Sequence, residues 1–456
     1  MYEKFVINDP IHEVIRIGDT KRNWLRPFID SENFQRLRNI KQMGLADIAY
    51  PGAVHTRFNH SIGTSYIGGR IASQLQLTQR EKQKVMVACL LHDIGHGPFS
   101  HGFEGLFKDD KGQKKLTHEE WTPKFLEHYQ SQEFIDRFNR TNRHYPIDEE
   151  FFHDINRFIT HSHVRGENQV LADIVSSQLD ADRMDYLLRD GHFCGVSYGR
   201  YDLNWLIHCL TLCVDQFGNR RLATSLKGVG AVEQFLIARS LIIKNLCVHK
   251  KVNAAEFLLI SMLKEIQNHL EEPLFDSLRT SPLFKFLETT RGINDSNKQE
   301  IINKSFDYYR MLCDFDVYYV MRYLYTMHDK YHHLGAVRLA KRLYKRQLPL
   351  AYRIKPEKID EVRDMIEAEK PHIPVESWQI SFHSPKFTVY RQKQEPIYVV
   401  EKGKIIASLA EESKIIDSIS DLTEDICFLF VDKRAYEENP RIQKIINNLT
   451  DVWALR

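Results

Sequence analysis

Residues 88–101 read Ala88-Cys89-Leu90-Leu91-His92-Asp93-Ile94-Gly95-His96-Gly97-Pro98-Phe99-Ser100-His101. An imidazole and a carboxylate stand side by side at the end of an apolar helical run, and two more histidines follow within nine residues. Neutral imidazole with carboxylate is a donor mixture suited to borderline-hard divalent metals. A metal held this way can turn bound water into hydroxide near neutral pH. The stretch therefore predicts a helical scaffold that ends in a glycine-broken turn and supports metal-assisted hydrolysis.

Working outward, the chain upstream predicts a helix from Arg80 to His92 and another from His60 to Leu75, with Pro51-Gly52 as a break before them. A further helix is expected from Asp30 to Met43, ended by Gly44, with Phe34, Leu37 and Ile40 as its buried stripe and Gln35, Arg38 and Gln42 on a polar side. The opening residues 4–17 read as two short strands around a Pro turn. Downstream, 108–115 is a charged, Gly-containing loop, and Thr117 caps a new helix. Helical patterns recur at 118–130, 148–160, 170–190, 203–213, 230–269 and 316–326, and 336–344 is basic and amphipathic. From about 372 the period changes: 387–390, 397–400 and 427–431 read as strands, with 401–404 a turn. The fold expected is mainly α, a helical body over 1–345 with a short N-terminal β-hairpin, and a smaller α+β region over 346–456 that regulates or oligomerises.

The 456 residues suffice for a large core, and the formal charge of +2 gives no global pull towards nucleic acid or membrane. No apolar run approaches the roughly 20 residues of a membrane-spanning helix. The seven cysteines form no C-x-x-C pair. Cys209 and Cys213 share a helix face, read as core packing. A reduced, cytoplasmic protein without structural zinc is expected.

Two other segments complete the metal reading: Arg57-Phe58-Asn59-His60-Ser61-Ile62-Gly63, and Gln178 through Asp190. His60, His92, Asp93 and Asp182 would form a two-His, two-Asp site on three helices, with positions open for water and substrate. Alone, His60 reads as a polar residue at a helix start and Asp182 as part of a solvated charged face; the combination is more specific than either. His96, His101 and His118 are candidates for proton transfer or for orienting ligands. Arg183, Tyr186 and Asp190 follow a three-then-four spacing, one strip beside Asp182 that could hold phosphate, sugar or base.

This ordered series resembles the HD-domain superfamily of metal phosphohydrolases. More narrowly, it is similar to the dNTP triphosphohydrolases that include the mammalian SAM-and-HD-domain enzyme and its shorter bacterial relatives. The carrying motifs are Asn8 through His12, Phe34 through Gln42, Arg57 through Gly63, His92 through His101, and Asp182 through Asp190. The resemblance implies a catalytic iron, manganese or similar ion on His60, His92, Asp93 and Asp182, and magnesium with the nucleotide. It implies attack at the α-phosphorus, with deoxynucleoside and intact triphosphate as products. His101 would protonate the leaving 5′ oxygen, and His96 and His118 would stabilise phosphates. Arg57 and Arg183 would neutralise the triphosphate, Gln42 and Tyr186 would meet the sugar, and Asp190 would bond its 3′ hydroxyl. Asp30, Gln35 and Arg38 match an activating nucleotide site that assembles an active homo-oligomer, dimer or tetramer. In the 238–250 segment, Ile243 and Cys247 stand where relatives carry tyrosines, and Arg239, His249 and Lys250 match phosphate contacts.

The role expected is dNTP-pool control or antiphage defence. Two alternatives remain open at this point. One is an HD phosphohydrolase acting on another nucleotide phosphoester. The other is a nucleotide-sensing or nucleic-acid-binding subunit, against which the near-neutral charge argues.

Overall fold

The computed structural model describes residues 6–16, 24–107, 116–160, 164–372, 376, 378–383 and 386–448. The architecture is a mainly α-helical body with an N-terminal β-hairpin and a smaller mixed α/β C-terminal region. The loop expected at 108–115 lies outside the described residues.

Val6–Asp9 pairs antiparallel with Glu13–Arg16, as expected. The Asp9 carboxylate accepts the backbone N–H groups of Ile11 and His12 at 2.9 and 3.0 Å, and so closes the turn around Pro10. At the centre of the body stand the helices Arg57–Gln74 and Gln79–Leu91. Thr78 and Glu81 exchange side-chain-to-backbone bonds in a capping box, which fixes where the second helix starts. The helix Ala181–Phe193 crosses the first one, capped by Asp180, whose carboxylate accepts Arg183 N–H at 2.7 Å. His118–Gln130, Glu149–Thr160, Asp314–Thr326 and Gly335–Tyr344 match their expected helices within two residues.

Several expectations fail for identifiable reasons. Asp30–Met43 is not one helix: it consists of a turn at Glu32–Gln35 and a 3-10 turn at Arg36–Asn39. At Ile40 the chain turns extended, because its carbonyl accepts Arg57 N–H and Lys41 N–H is claimed by the Asp314 carboxylate. Phe34, Leu37 and Ile40 are nevertheless fully buried. Tertiary hydrogen bonds have displaced helical ones while keeping the apolar pattern. The 170–190 pattern splits into Gln169–Val175 and Ala181–Phe193. The 203–213 pattern ends as a helix at Cys209 and continues as the strand Leu210–Val214. Cys209 and Cys213 therefore do not share a helix face. The strand forms because Arg220–Ser225 returns beside it through a turn in which Asp215 accepts Phe217 and Asn219 N–H. The 230–269 pattern breaks into Val229–Ile242, a π-helical turn at Ile243–Cys247, and Lys250–Asn268. Helices at Gln132–Thr141, Pro282–Thr289 and Lys298–Tyr309 were not foreseen.

Past residue 345, Leu350–Ile354, Cys427–Val431 and Ile380–His383 form a three-stranded sheet with Cys427–Val431, wholly buried, in the middle. Tyr398–Glu401 instead joins the body, pairing parallel to Arg220–Ser225 and antiparallel to Lys404–Ser408. Gln178 ties the preceding loop to the body: its side chain donates to the Arg391 and Glu395 carbonyls and accepts Arg391 N–H. No helix among the described residues is long and apolar enough to cross a membrane.

Candidate metal centre and adjoining cavity

His60 lies in the first turn of Arg57–Gln74, His92 and Asp93 follow the end of Gln79–Leu91, and Asp182 sits in the first turn of Ala181–Phe193. The ligand atoms of His60, His92 and Asp93 lie within 4.8 Å of one another, and Asp182 approaches the two histidines from the third helix. His60 Nε2 is 3.2 Å from His92 Nε2, 3.0 Å from Asp182 Oδ1 and 3.5 Å from Asp93 Oδ2. His92 Nε2 is 3.4 Å from Asp93 Oδ1 and 3.7 Å from Asp182 Oδ1.

The hydrogen bonds behind this group set its chemistry. His60 Nδ1 faces Asp185 Oδ2 at 2.8 Å, and His92 Nδ1 faces the Cys89 carbonyl at 2.7 Å. Both partners only accept, so both Nδ1 atoms carry the proton and both Nε2 lone pairs point inward. Two imidazole acceptors and two carboxylates around one point repel unless a cation, or a proton, sits between them. The donor set thus fits a divalent metal. In the absence of a cation that site takes a proton instead: burial opposes charging His60, but hydrogen bonds to the Asp182 and Asp185 carboxylates outweigh it and raise its pKa to about 10. Burial would likewise raise Asp93, but Arg57, His92 and His96 hold it well below the usual carboxylate range.

Asp185 is itself anchored. It accepts Arg189 Nε at 2.7 Å and faces His12 Nε2 of the N-terminal hairpin at 2.6 Å, while Arg189 also donates to Asp9 at 2.8 Å. Gly63 permits this approach, since a Cβ there would lie 2.0 Å from Asp185 Oδ1.

Beside the metal group stand His96, His101 and His118. The His96 and His118 rings stack at 3.8 Å, and His96 Nε2 is 3.4 Å from Asp93 Oδ1. Glu104 binds two of the three, His118 Nδ1 at 2.7 Å and His101 Nδ1 at 3.2 Å. Burial would raise Glu104, but the histidines outweigh it and keep the carboxylate ionised. Burial, Arg57 and His118 lower His96 well below the ordinary imidazole value, so it is neutral at pH 7. His101 is the exposed member of the three, its Nδ1 turned to Glu104. Ligand atoms of His96, His101, Glu104 and His118 lie within 4.8 Å of one another, a second grouping able to hold a cation.

The turn carrying these histidines is strained, with Phe99 and Ser100 both at positive φ, 54° and 56°. It is held from outside. Asp314 accepts Phe99 N–H at 2.7 Å, Ser100 Oγ donates to the Lys41 carbonyl at 2.7 Å, and Arg57 Nε donates to Ser100 Oγ at 2.8 Å. The buried Arg36 guanidinium donates to the Ile94, His96 and Leu312 carbonyls.

A cavity of about 490 Å³ opens onto both groups. Gln42, Arg57, Arg183, Tyr186 and Asp190 all line it, together with His92, Asp93, Asp182 and the three proton-transfer candidates; His60 is buried beneath. Arg57 ion-pairs with Asp93, and Arg183 with Asp180. Asp190 Oδ1 is 2.8 Å from His55 Nε2, whose ring stacks on Phe193. Arg239 is buried, and its Nε and Nη1 have no hydrogen-bond partner among the described residues. Arg183 lies close enough to depress its pKa further, after burial.

Asp30, Gln35 and Arg38 lie outside this cavity. Arg38 Nε donates to Gln35 Oε1 at 2.7 Å and its guanidinium covers the Phe58 ring at 3.6 Å. Gln35 Nε2 donates to the Ile29 carbonyl at 2.7 Å, and the adjacent Asp30 pairs with Arg26 at 2.9 Å. Sequence reasoning missed Glu104, Asp185, His55 and Arg36. Asp185 carries a signal, three residues beyond Asp182 on the same strip. A lone His55 carries none.

Residues 57–190 match the HD domain family. The chain is similar to the uncharacterized protein MJ1154 of Methanocaldococcus jannaschii, 30% identical over 445 residues, which cover 91% of this chain and 87% of that one. It is also similar to human deoxynucleoside triphosphate triphosphohydrolase SAMHD1, 31% identical over 289 residues, 58% of this chain and 45% of that protein. The chain spans about half the length of the SAMHD1 relatives it matches. Among solved structures, a phosphohydrolase of Bacteroides thetaiotaomicron superposes with a TM-score of 0.72 at 25% identity, over 94% of this chain and 100% of that one. A full-length relative, a matching family and a converged His/Asp donor set lead to one conclusion: the chain belongs to the HD-domain phosphohydrolase superfamily.

Proposed function

We propose that the protein hydrolyses deoxynucleoside triphosphates to deoxynucleoside and inorganic triphosphate. The observation that carries this reading is one cavity lined by Arg57 and Arg183 beside the His/Asp donor set, with Arg239 buried near Arg183 and its Nε and Nη1 without a partner among the described residues. The Arg57 and Arg183 guanidiniums, both on this cavity, suit a polyphosphate, which they bind by charge-assisted hydrogen bonds. Tyr186 and Asp190 then meet the sugar, Asp190 as acceptor for its 3′ hydroxyl. Gln42 lines the same wall. The activity printed for the SAMHD1 relatives points the same way.

His60, His92, Asp93 and Asp182 would hold a divalent ion, which when bound would supply Lewis-acid charge and lower the pKa of water. The chain does the rest. Arg57 and Arg183 draw the phosphates against the histidine group. Ionised Glu104 holds the Nδ1–H of His101 and His118, which leaves Nε2 of each to give or take a proton. His101 is assigned the proton delivered to the leaving 5′ oxygen, and neutral His96 donates a hydrogen bond to a phosphate. Magnesium accompanies the substrate. Gln35, Arg38 and Asp30 bind an activating nucleotide that assembles a homo-oligomer. Pool control or antiphage dNTP depletion is the role that fits such an enzyme.

Product analysis tests this: each dNTP singly and then in pairs, with manganese or magnesium. Deoxynucleoside plus triphosphate is expected, and activity seen only in certain pairs identifies the activator. Absence of triphosphate in every pairing, from metal-loaded protein, overturns it.

A further inference from the structure

We propose that a further anion site, apart from the catalytic cavity and from Asp30, Gln35 and Arg38, lies in the groove between the helices Arg57–Gln74, Gln79–Leu91 and Leu203–Cys209 and takes a phosphate-bearing ligand of nucleotide size. The groove encloses about 500 Å³, and no residue lines both it and the catalytic cavity. Three cations line it: Arg16 from the end of the hairpin, Arg70 and Lys82. Lys227 Nζ lies 3.2 Å from Nε2 of His208, which lines the groove. No aspartate or glutamate among the described residues lines it.

That charge pattern differs from its surroundings. One turn along, Arg80 pairs with Asp148 and Glu81 with Arg220, at 3.2 and 2.6 Å. Arg70, by contrast, donates to a neutral amide, Asn204 Oδ1 at 2.7 Å, and makes no ion pair among the described residues. An amide fixes the guanidinium's direction without compensating its charge, which holds it ready for an anion. In a chain of formal charge +2, such a concentration is local, not a general basic surface.

The remaining lining gives the size and type of ligand. Tyr66, Met86 and Ile207 supply an aromatic face and an apolar wall, suited to a flat base. Ser73, Gln74 and Asn204 supply polar edges. Phosphate on the cations and base on Tyr66 is the arrangement these residues admit. Tyr66 also packs against His12, ring centroids 5.4 Å apart, and His12 holds Asp185 behind the metal ligand His60.

Isothermal titration of the full chain with inorganic pyrophosphate tests the site. A groove event and a cavity event are expected, each separate from any binding at Asp30, Gln35 and Arg38. Arg70→Glu with Lys82→Glu removes one of them, and Arg183→Ala removes the other. The surviving event in each variant reports that the fold is intact. A wild-type protein with only the event that Arg183→Ala abolishes overturns the groove site, as do two events that both persist in the Arg70→Glu, Lys82→Glu variant. Loss of only the cavity event counts against the catalytic reading and leaves the groove standing. In Arg183→Ala, dATP is then set against a single-stranded oligodeoxynucleotide as competitor. Displacement by dATP supports the nucleotide; displacement by the oligonucleotide alone overturns it in favour of nucleic acid.

Discussion

His60 and His92 turn lone pairs towards each other because Asp185 and the Cys89 carbonyl have taken their other nitrogens. Replacing His92-Asp93 by Ala-Ala removes two of the four donors; metal content and hydrolysis should both fall to background while far-UV circular dichroism stays native. Undiminished turnover would show that the metal is elsewhere. Glu104 is the other decisive side chain. Its negative charge favours the protonated form of His101, so Glu104→Gln should lower that histidine's pKa. A general acid loses activity as pH rises through its pKa, and the alkaline fall in kcat should therefore begin at lower pH in the variant. A drop of about 10²-fold or more in kcat with little change in KM is expected. An unshifted pH profile would make Glu104 a structural residue only. The candidate ligands were legible because His, Asp and their neighbours stand in recognisable runs. His55 and Arg36 were not, because what they do depends on partners 135 and up to 276 residues away.

Between elements, the crossing of Arg57–Gln74 with Ala181–Phe193 depends on Gly63. Gly63→Ala pushes into the Asp185 carboxylate and the Arg189 guanidinium, neither of which can retreat from its buried network. A loss of about 1–3 kcal/mol in urea denaturation is expected, together with weaker metal retention during dialysis against a chelator. Full stability with full metal content would mean that the crossing adjusts. Helices with long amphipathic patterns were readable from sequence because burial on one face fixes their period. The stretch 30–43 was misread because its backbone groups are satisfied by Arg57 and Asp314 instead of by the next turn. Its apolar period was genuine, which is why Phe34, Leu37 and Ile40 were placed correctly in the core. The strand Leu210–Val214 was read as a continuing helix because its partner, Arg220–Ser225, was not recognised as a strand.

For the whole molecule, buried carboxylates set the response to acid. Burial would raise Asp185, but Arg189, His12 and His60 hold it well below its unfolded value. A depressed folded pKa contributes stability that is present above the unfolded pKa, near 4, and drains away as pH falls further. Asp185→Asn should therefore cost about 3 kcal/mol or more at pH 7, and the gap to wild type should narrow on titration below pH 4. A constant gap across that range would exclude the ionised form as the source of the stability.

The parallel pairing of Ala223 with Tyr398 has a consequence for how the chain reaches this state. The ladder cannot close until a strand more than 170 residues downstream has been made and has returned, so the body is topologically slow to finish. Until then Arg220–Ser225 is an open edge, a template for the same strand of another molecule. A protein cut at 345 would keep that edge bare for good, and light scattering should find it aggregating where the full chain stays dispersed.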